Sequence, residues 1–186
     1  MMKKAFSCLV ITLFTGTLNA ASLTDLQISG FKLGISTTDA QKINPKVRRF
    51  YDNESSFKEY YQGYAISVTL IAKQDIIYGI EKIFHVNDLL KSGEDQKWVR
   101  EKVIAIYGEP TTTHLQQAGN EAYYYLCWGQ SCPDDAYFER KDPGKERIFG
   151  IVIGPNLIRY KHYDLGLIQS APESTEVRLK PLLDGL

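Results

Sequence analysis

Tyr60-Tyr-Gln-Gly-Tyr-Ala-Ile-Ser-Val-Thr-Leu-Ile-Ala-Lys-Gln-Asp-Ile-Ile-Tyr-Gly-Ile-Glu-Lys-Ile-Phe-His-Val86 is the stretch that decides the fold class. From Tyr60 to Ala72, Tyr64, Ile66, Val68, Leu70 and Ala72 alternate with Ala65, Ser67, Thr69 and Ile71. That is the period of a half-buried strand, and its β-branched residues suit a pleated surface. Ile76 to Val86 predicts a second strand, with Ile76, Tyr78, Ile80, Phe84 and Val86 on one face and Lys82 as the exception. Lys73-Gln74-Asp75 reads as the hairpin connection between them. The polar stretch 46–56 ahead of them, relieved only by Val47 and Phe50, reads as a loop.

Helix signals flank this pair of strands. Ser36 to Asp39 has the spacing of a capping box, Ala40 and Ile43 follow, and Pro45 stops the run, which predicts a helix over 36–43. Ser92 to Asp95 repeats the start signal. Val99, Val103, Ile106 and Tyr107 then fall on one helical stripe, and Gly108 and Pro110 end it, giving a helix over 94–107. Beyond a polar loop at 111–121, strands are predicted at Tyr123 to Trp128, Ala136 to Arg140, Arg147 to Ile153 and Leu157 to Tyr163, the last three separated by Asp142-Pro-Gly-Lys and Gly154-Pro-Asn. The order helix, two strands, helix, four strands predicts an α+β domain: an antiparallel sheet of about six strands with two helices on one face, in the order of a diverged helix-plus-strands duplication.

The N-terminus points to export. Lys3 and Lys4 precede an apolar run from Ala5 to about Phe14, and Leu18-Asn19-Ala20 ends on a small residue, the parts of a secretory signal peptide cut after Ala20. The run is about half of the ~20 apolar residues that a membrane-spanning helix needs. The context of Cys8, Phe-Ser-Cys-Leu, is not a lipoprotein cleavage box. The expected product is a soluble periplasmic chain with no membrane span, a single domain over 21–168 and a loosely packed tail over 169–186. Its 166 residues carry 20 basic and 22 acidic groups, which leaves no positive field to gather nucleic acid.

Export leaves two cysteines, Cys127 and Cys132, and in an oxidising compartment two near thiols normally close. A disulfide is the expected state. A redox couple normally has two intervening residues rather than four, and a metal half-site here has too few ligands for tetrahedral zinc.

The segment Gly30-Phe-Lys-Leu-Gly34-Ile35-Ser36-Thr37-Thr38-Asp39-Ala40, with Ile106-Tyr107-Gly108-Glu109-Pro110, resembles small periplasmic domains related to the outer-membrane lipoprotein of the β-barrel assembly machinery, whose fold is similar to that of the β-lactamase inhibitory protein. The resemblance covers 16 residues. It implies an α+β scaffold that binds other proteins without catalysis. The lipidated cysteine of the assembly lipoprotein has no counterpart, and no functional residue is carried over.

Signals of chemistry are sparse. His85, His114 and His162 show no His-x-x-x-His spacing and read as surface or pocket-edge residues, the first and last on strands and His114 in a loop. There is no Gly-x-Ser-x-Gly elbow and no phosphate-binding glycine loop; Gly150-Ile-Val-Ile-Gly154 reads as a strand ending in a turn. Asp134, Asp135 and Glu139 could pose as paired carboxylates for glycoside hydrolysis, but adjacent residues on a strand point to opposite faces and acidic pairs are usually solvated. No metal and no cofactor is implied. Aromatic density stands out instead: Tyr123, Tyr124, Tyr125, Trp128 and Tyr137 adjoin the cysteine loop, and such rings anchor protein interfaces. The expected function is a protein-binding module of a Gram-negative envelope, an inhibitor or immunity protein against a toxin or cell-wall hydrolase. The rival readings are an accessory of outer-membrane assembly, and an enzyme or small-ligand binder whose site is dispersed along the chain.

Overall fold

Both helices begin at the serines that the capping pattern singles out. In the computed structural model, which describes residues 23–86, 89–90, 92–129, 132, 147–164 and 166–169, Ser36 Oγ accepts the Asp39 amide and Ser92 Oγ the Asp95 amide, each at 3.0 Å. Each bond satisfies one of the amides that a helix start leaves without a partner. Helix α1 spans Thr37–Ile43 and α2 spans Gly93–Tyr107. Gly108, at φ +80°, donates its amide to Ile104 O at 2.7 Å and ends α2.

Among the described residues seven strands, against about six in the sequence pattern, form a single antiparallel sheet: β1 (Glu54–Tyr61), β2 (Tyr64–Lys73), β3 (Ile76–His85), β4 (Thr112–Ala118), β5 (Glu121–Trp128), β6 (Arg147–Ile153) and β7 (Leu157–Asp164). Their spatial order is β1-β2-β3-β7-β6-β5-β4. The last strand of each half therefore meets its counterpart at the centre, and β1 and β4 are the edges among the described strands. A single helical turn, α3 (Gly166–Gln169), follows β7.

The two edges are where pattern and structure part. Polar residues 46–56 contain the start of β1, and the strand predicted from Tyr60 begins only at Tyr64, because Gln62 and Gly63 at φ +49° and +86° make a two-residue turn. The supposed loop at 111–121 contains β4. An edge strand has one neighbour and little to bury: β1 buries Ser55 and Phe57, and β4 buries nothing. The period-two signal that marks a central strand is consequently absent. The strand predicted at 136–140 lies outside the described residues, as do residues 1–20 and most of the tail.

A bulge between Ile71 and Ala72 changes the face of β3. Ala72 pairs with Ile77, so Ile77 joins Ile80, Lys82 and Phe84 on the core side, in place of the Ile76 and Tyr78 that simple alternation predicts. Rows of side chains then cross the sheet, Ser55–Leu70–Ile80–His162–Phe149–Trp128 beside Phe57–Val68–Lys82–Tyr160–Ile151–Leu126. The core cluster takes its sheet residues from this face and also contains Ala40 of α1 and Val103 of α2, so both helices lie against it. Each fully buried Leu, Ile or Phe contributes roughly 1.5–3 kcal/mol. On the opposite face the Tyr163 ring lies across Gly79, where a Cβ would stand 2.6 Å from a ring carbon.

Candidate functional site

The pleat divides the aromatic cluster that the sequence marks as a partner-binding surface. Trp128 and Tyr124 face the helices. Trp128 is 1% exposed, its Nε1 donates to Gly108 O at 3.2 Å, and its ring packs against Phe149 at 5.4 Å and Tyr107 at 5.9 Å. It is a core residue that ties the end of α2 to β5, and this corrects its assignment to a binding surface. Tyr124 is half-buried beneath the Arg100 guanidinium, 5.8 Å from the ring centroid. Tyr137 lies outside the described residues. Cys127 and Cys132 are joined, with S–S 2.11 Å, immediately beyond the run of tyrosines.

Tyr123 and Tyr125 point to the face opposite α1 and α2, and each hydroxyl is hydrogen-bonded. Tyr123 OH donates to Glu121 Oε2 at 2.8 Å, a bond that with slight burial pushes the phenol pKa up. Its ring crosses Gly154, where a Cβ would stand 2.6 Å from a ring carbon. Tyr125 OH donates to Gln116 Oε1 at 3.1 Å, and its ring centroid is 6.3 Å from that of His114. His114 is on β4 rather than in a loop, placed directly opposite Tyr125 by the register. Adjacent strands thus offer two half-exposed aromatic rings, each with its hydroxyl hydrogen-bonded, and an imidazole. Such a surface can stack and hydrogen-bond with little further loss of side-chain entropy.

His162, Lys82 and Tyr160 lie on the other side of the sheet, the side that faces α1 and α2. His162 is 0% exposed and, among the described residues, neither ring nitrogen has a hydrogen-bond partner, which corrects its reading as a surface or pocket-edge histidine. Burial, assisted by the positive charge of Arg147 and opposed by Asp164, brings its pKa down to about 4, so the ring is neutral at physiological pH. Lys82 stands opposite Tyr160, its ammonium 4.9 Å from the Phe84 ring centroid. Partial burial lowers the Lys82 pKa against the opposing pull of Glu59, and burial raises that of Tyr160, with a smaller contribution from Tyr107. Lys82 was detectable as the one charge in an apolar alternation. Nothing in the sequence marks His162 as internal, because its burial comes from the strands on either side.

Among the described residues no group of three or more His, Cys, Asp or Glu is placed to hold a metal ion, and no helix is long and apolar enough to cross a membrane. No family model, curated protein or solved structure matches the chain.

Proposed function

We propose that this chain is an exported protein-binding module of a cell envelope, an inhibitor or immunity protein that occludes a secreted toxin or cell-wall hydrolase in the periplasm. Tyr123 and Tyr125 carry this conclusion: two rings on adjacent positions of one sheet face, held by Glu121 and Gln116 before any partner arrives. Pre-set aromatic rings are the side chains from which interface hot spots are most often built. The signal-type N-terminus and the Cys127–Cys132 bridge are in keeping with an oxidising compartment. The repeated order of helix and antiparallel strands, with β3 and β7 meeting at the centre, favours descent from a duplicated helix-plus-strands unit.

The test is capture from crosslinked periplasmic extract on tagged residues 21–186. One stoichiometric toxin or hydrolase, inactive when bound, is the expected catch, and Tyr123→Ala or Tyr125→Ala weakens that complex by ~1–3 kcal/mol. Unchanged affinity in both variants moves the interface off this face. Recovery of barrel-assembly components instead makes the chain an accessory of envelope assembly.

A further inference from the structure

At the far edge of the sheet, the segment leading into β1 runs beside that strand without pairing to it. Tyr51 and Glu54 exchange main-chain bonds, and beyond them, among the described residues, only side chains cross: Ser55 Oγ to Arg48 O at 3.1 Å, Lys46 Nζ to Lys58 O at 3.4 Å, Asn44 Nδ2 to Glu59 Oε1 at 3.4 Å. A short serine closes one end of the gap and a long lysine bridges the other, so the gap widens along β1. It holds a cavity of about 490 Å³ lined, among the described residues, by Pro45, Lys46, Arg48, Ser56, Phe57 and Lys58, three cations and no carboxylate.

The register settles which main-chain groups face this cavity. Tyr61 and Tyr64 close a two-residue hairpin, so residues 55, 57, 59 and 61 bond to β2, and residues 54, 56, 58 and 60 point outward. Glu54, bonded outward to Tyr51, confirms the phase. Among the described residues, the outward amides of Ser56, Lys58 and Tyr60 meet no main-chain partner. Ser56 to Tyr60 is about 13 Å of open strand edge. It offers amides and carbonyls in alternation, which a peptide backbone matches and a compact anion does not. Tyr60, 73% exposed, lies on the same side of β1 as Lys58.

We infer that this cleft docks an extended acidic segment of a partner protein as an added strand along β1. The inference rests on the protein-binding reading above and names the chemistry of the partner. The incoming backbone pairs with Lys58 and Tyr60. Its amide takes over Lys58 O from the Lys46 ammonium, which is then free to pair, with Arg48 and Lys58, to carboxylates on the segment. The same cations oppose edge-to-edge pairing with a second copy, the usual purpose of lysine on an edge strand.

The test is fluorescence anisotropy of the purified protein with a labelled, end-capped (Glu-Val)4 peptide and its (Lys-Val)4 counterpart. The acidic peptide binds and the basic one does not. Lys46→Glu/Lys58→Glu weakens binding by at least about tenfold. Lys58→Pro weakens it similarly, because it removes an outward N–H and leaves the β1–β2 ladder complete. Should either variant lower the melting temperature, Lys46→Gln/Lys58→Gln replaces it, with a smaller loss in the same direction. Equal binding of both peptides, no binding of the acidic one, or affinity indifferent to these substitutions overturns the inference, as does a dimer that Lys58→Pro dissociates. Peptide binding at β1 together with an empty envelope capture would leave the cleft standing and remove the inhibitor reading; the reverse pattern would remove the cleft alone.

Discussion

Exchanging His162 for leucine should remove a pH dependence that the native protein carries in its core. The imidazole is fully enclosed, paired across strands with Ile80 and Phe149, edge-on to the Phe149 ring at 6.2 Å, and, among the described residues, without a hydrogen bond to either nitrogen. Its folded pKa of about 4 lies below the unfolded value of 6.5. Below pH 6.5 the unfolded chain therefore takes up a proton that the native chain refuses. Stability is whole above that pH and falls as acid is added, by about 2 kcal/mol at pH 5 and about 3 kcal/mol near pH 4. Leucine has no proton to bind and no buried nitrogen to leave unsatisfied, so at neutral pH the variant should match or exceed the parent by about 1 kcal/mol. Urea unfolding of both proteins at about pH 7.5, 6 and 5 measures the difference directly, and carboxylates that titrate in both cancel from it. Parallel pH curves for parent and variant would refute the reasoning, since they would mean that the native state binds the proton as readily as the unfolded chain.

Gly79→Ala places a methyl 2.6 Å from the Tyr163 ring and 3.2 Å from Ile71 Cβ, so chemical denaturation should show a loss of ~1–3 kcal/mol. Ser36→Ala and Ser92→Ala each remove a capping acceptor at a separate helix start; thermal melts should give about 1 kcal/mol for each, and the double variant should show their sum. Cys127→Ser/Cys132→Ser opens a six-residue loop beside β5 and should cost about 2 kcal/mol in urea, with the Tyr123 and Tyr125 surface still able to bind. A far larger loss would show that the bridge holds the sheet together.

How far the fold could be read in advance varies from element to element. Ser36 and Ser92 announced both helices, because a cap is a contact between residues three apart. The alternation of Ile66, Val68 and Leu70 announced β2, because a strand with neighbours on both sides must bury every second side chain. Cys127 and Cys132 announced their bridge by spacing and the expected compartment. The edges β1 and β4 escaped because Ser56, Lys58, His114 and Gln116 have water on one side and need no apolar pattern. Tyr123, Tyr124 and Tyr125 were visible as a cluster, yet which rings point outward depended on where the helices lay. Local capping and periodicity are written in neighbouring residues, so the sequence by itself determined the α+β class, the helix starts and the central strands. The meeting of β3 with β7, the burial of Trp128 and His162, and the open cleft along β1 were decided only by tertiary structure, because each depends on side chains far apart in the chain sharing one side of a sheet.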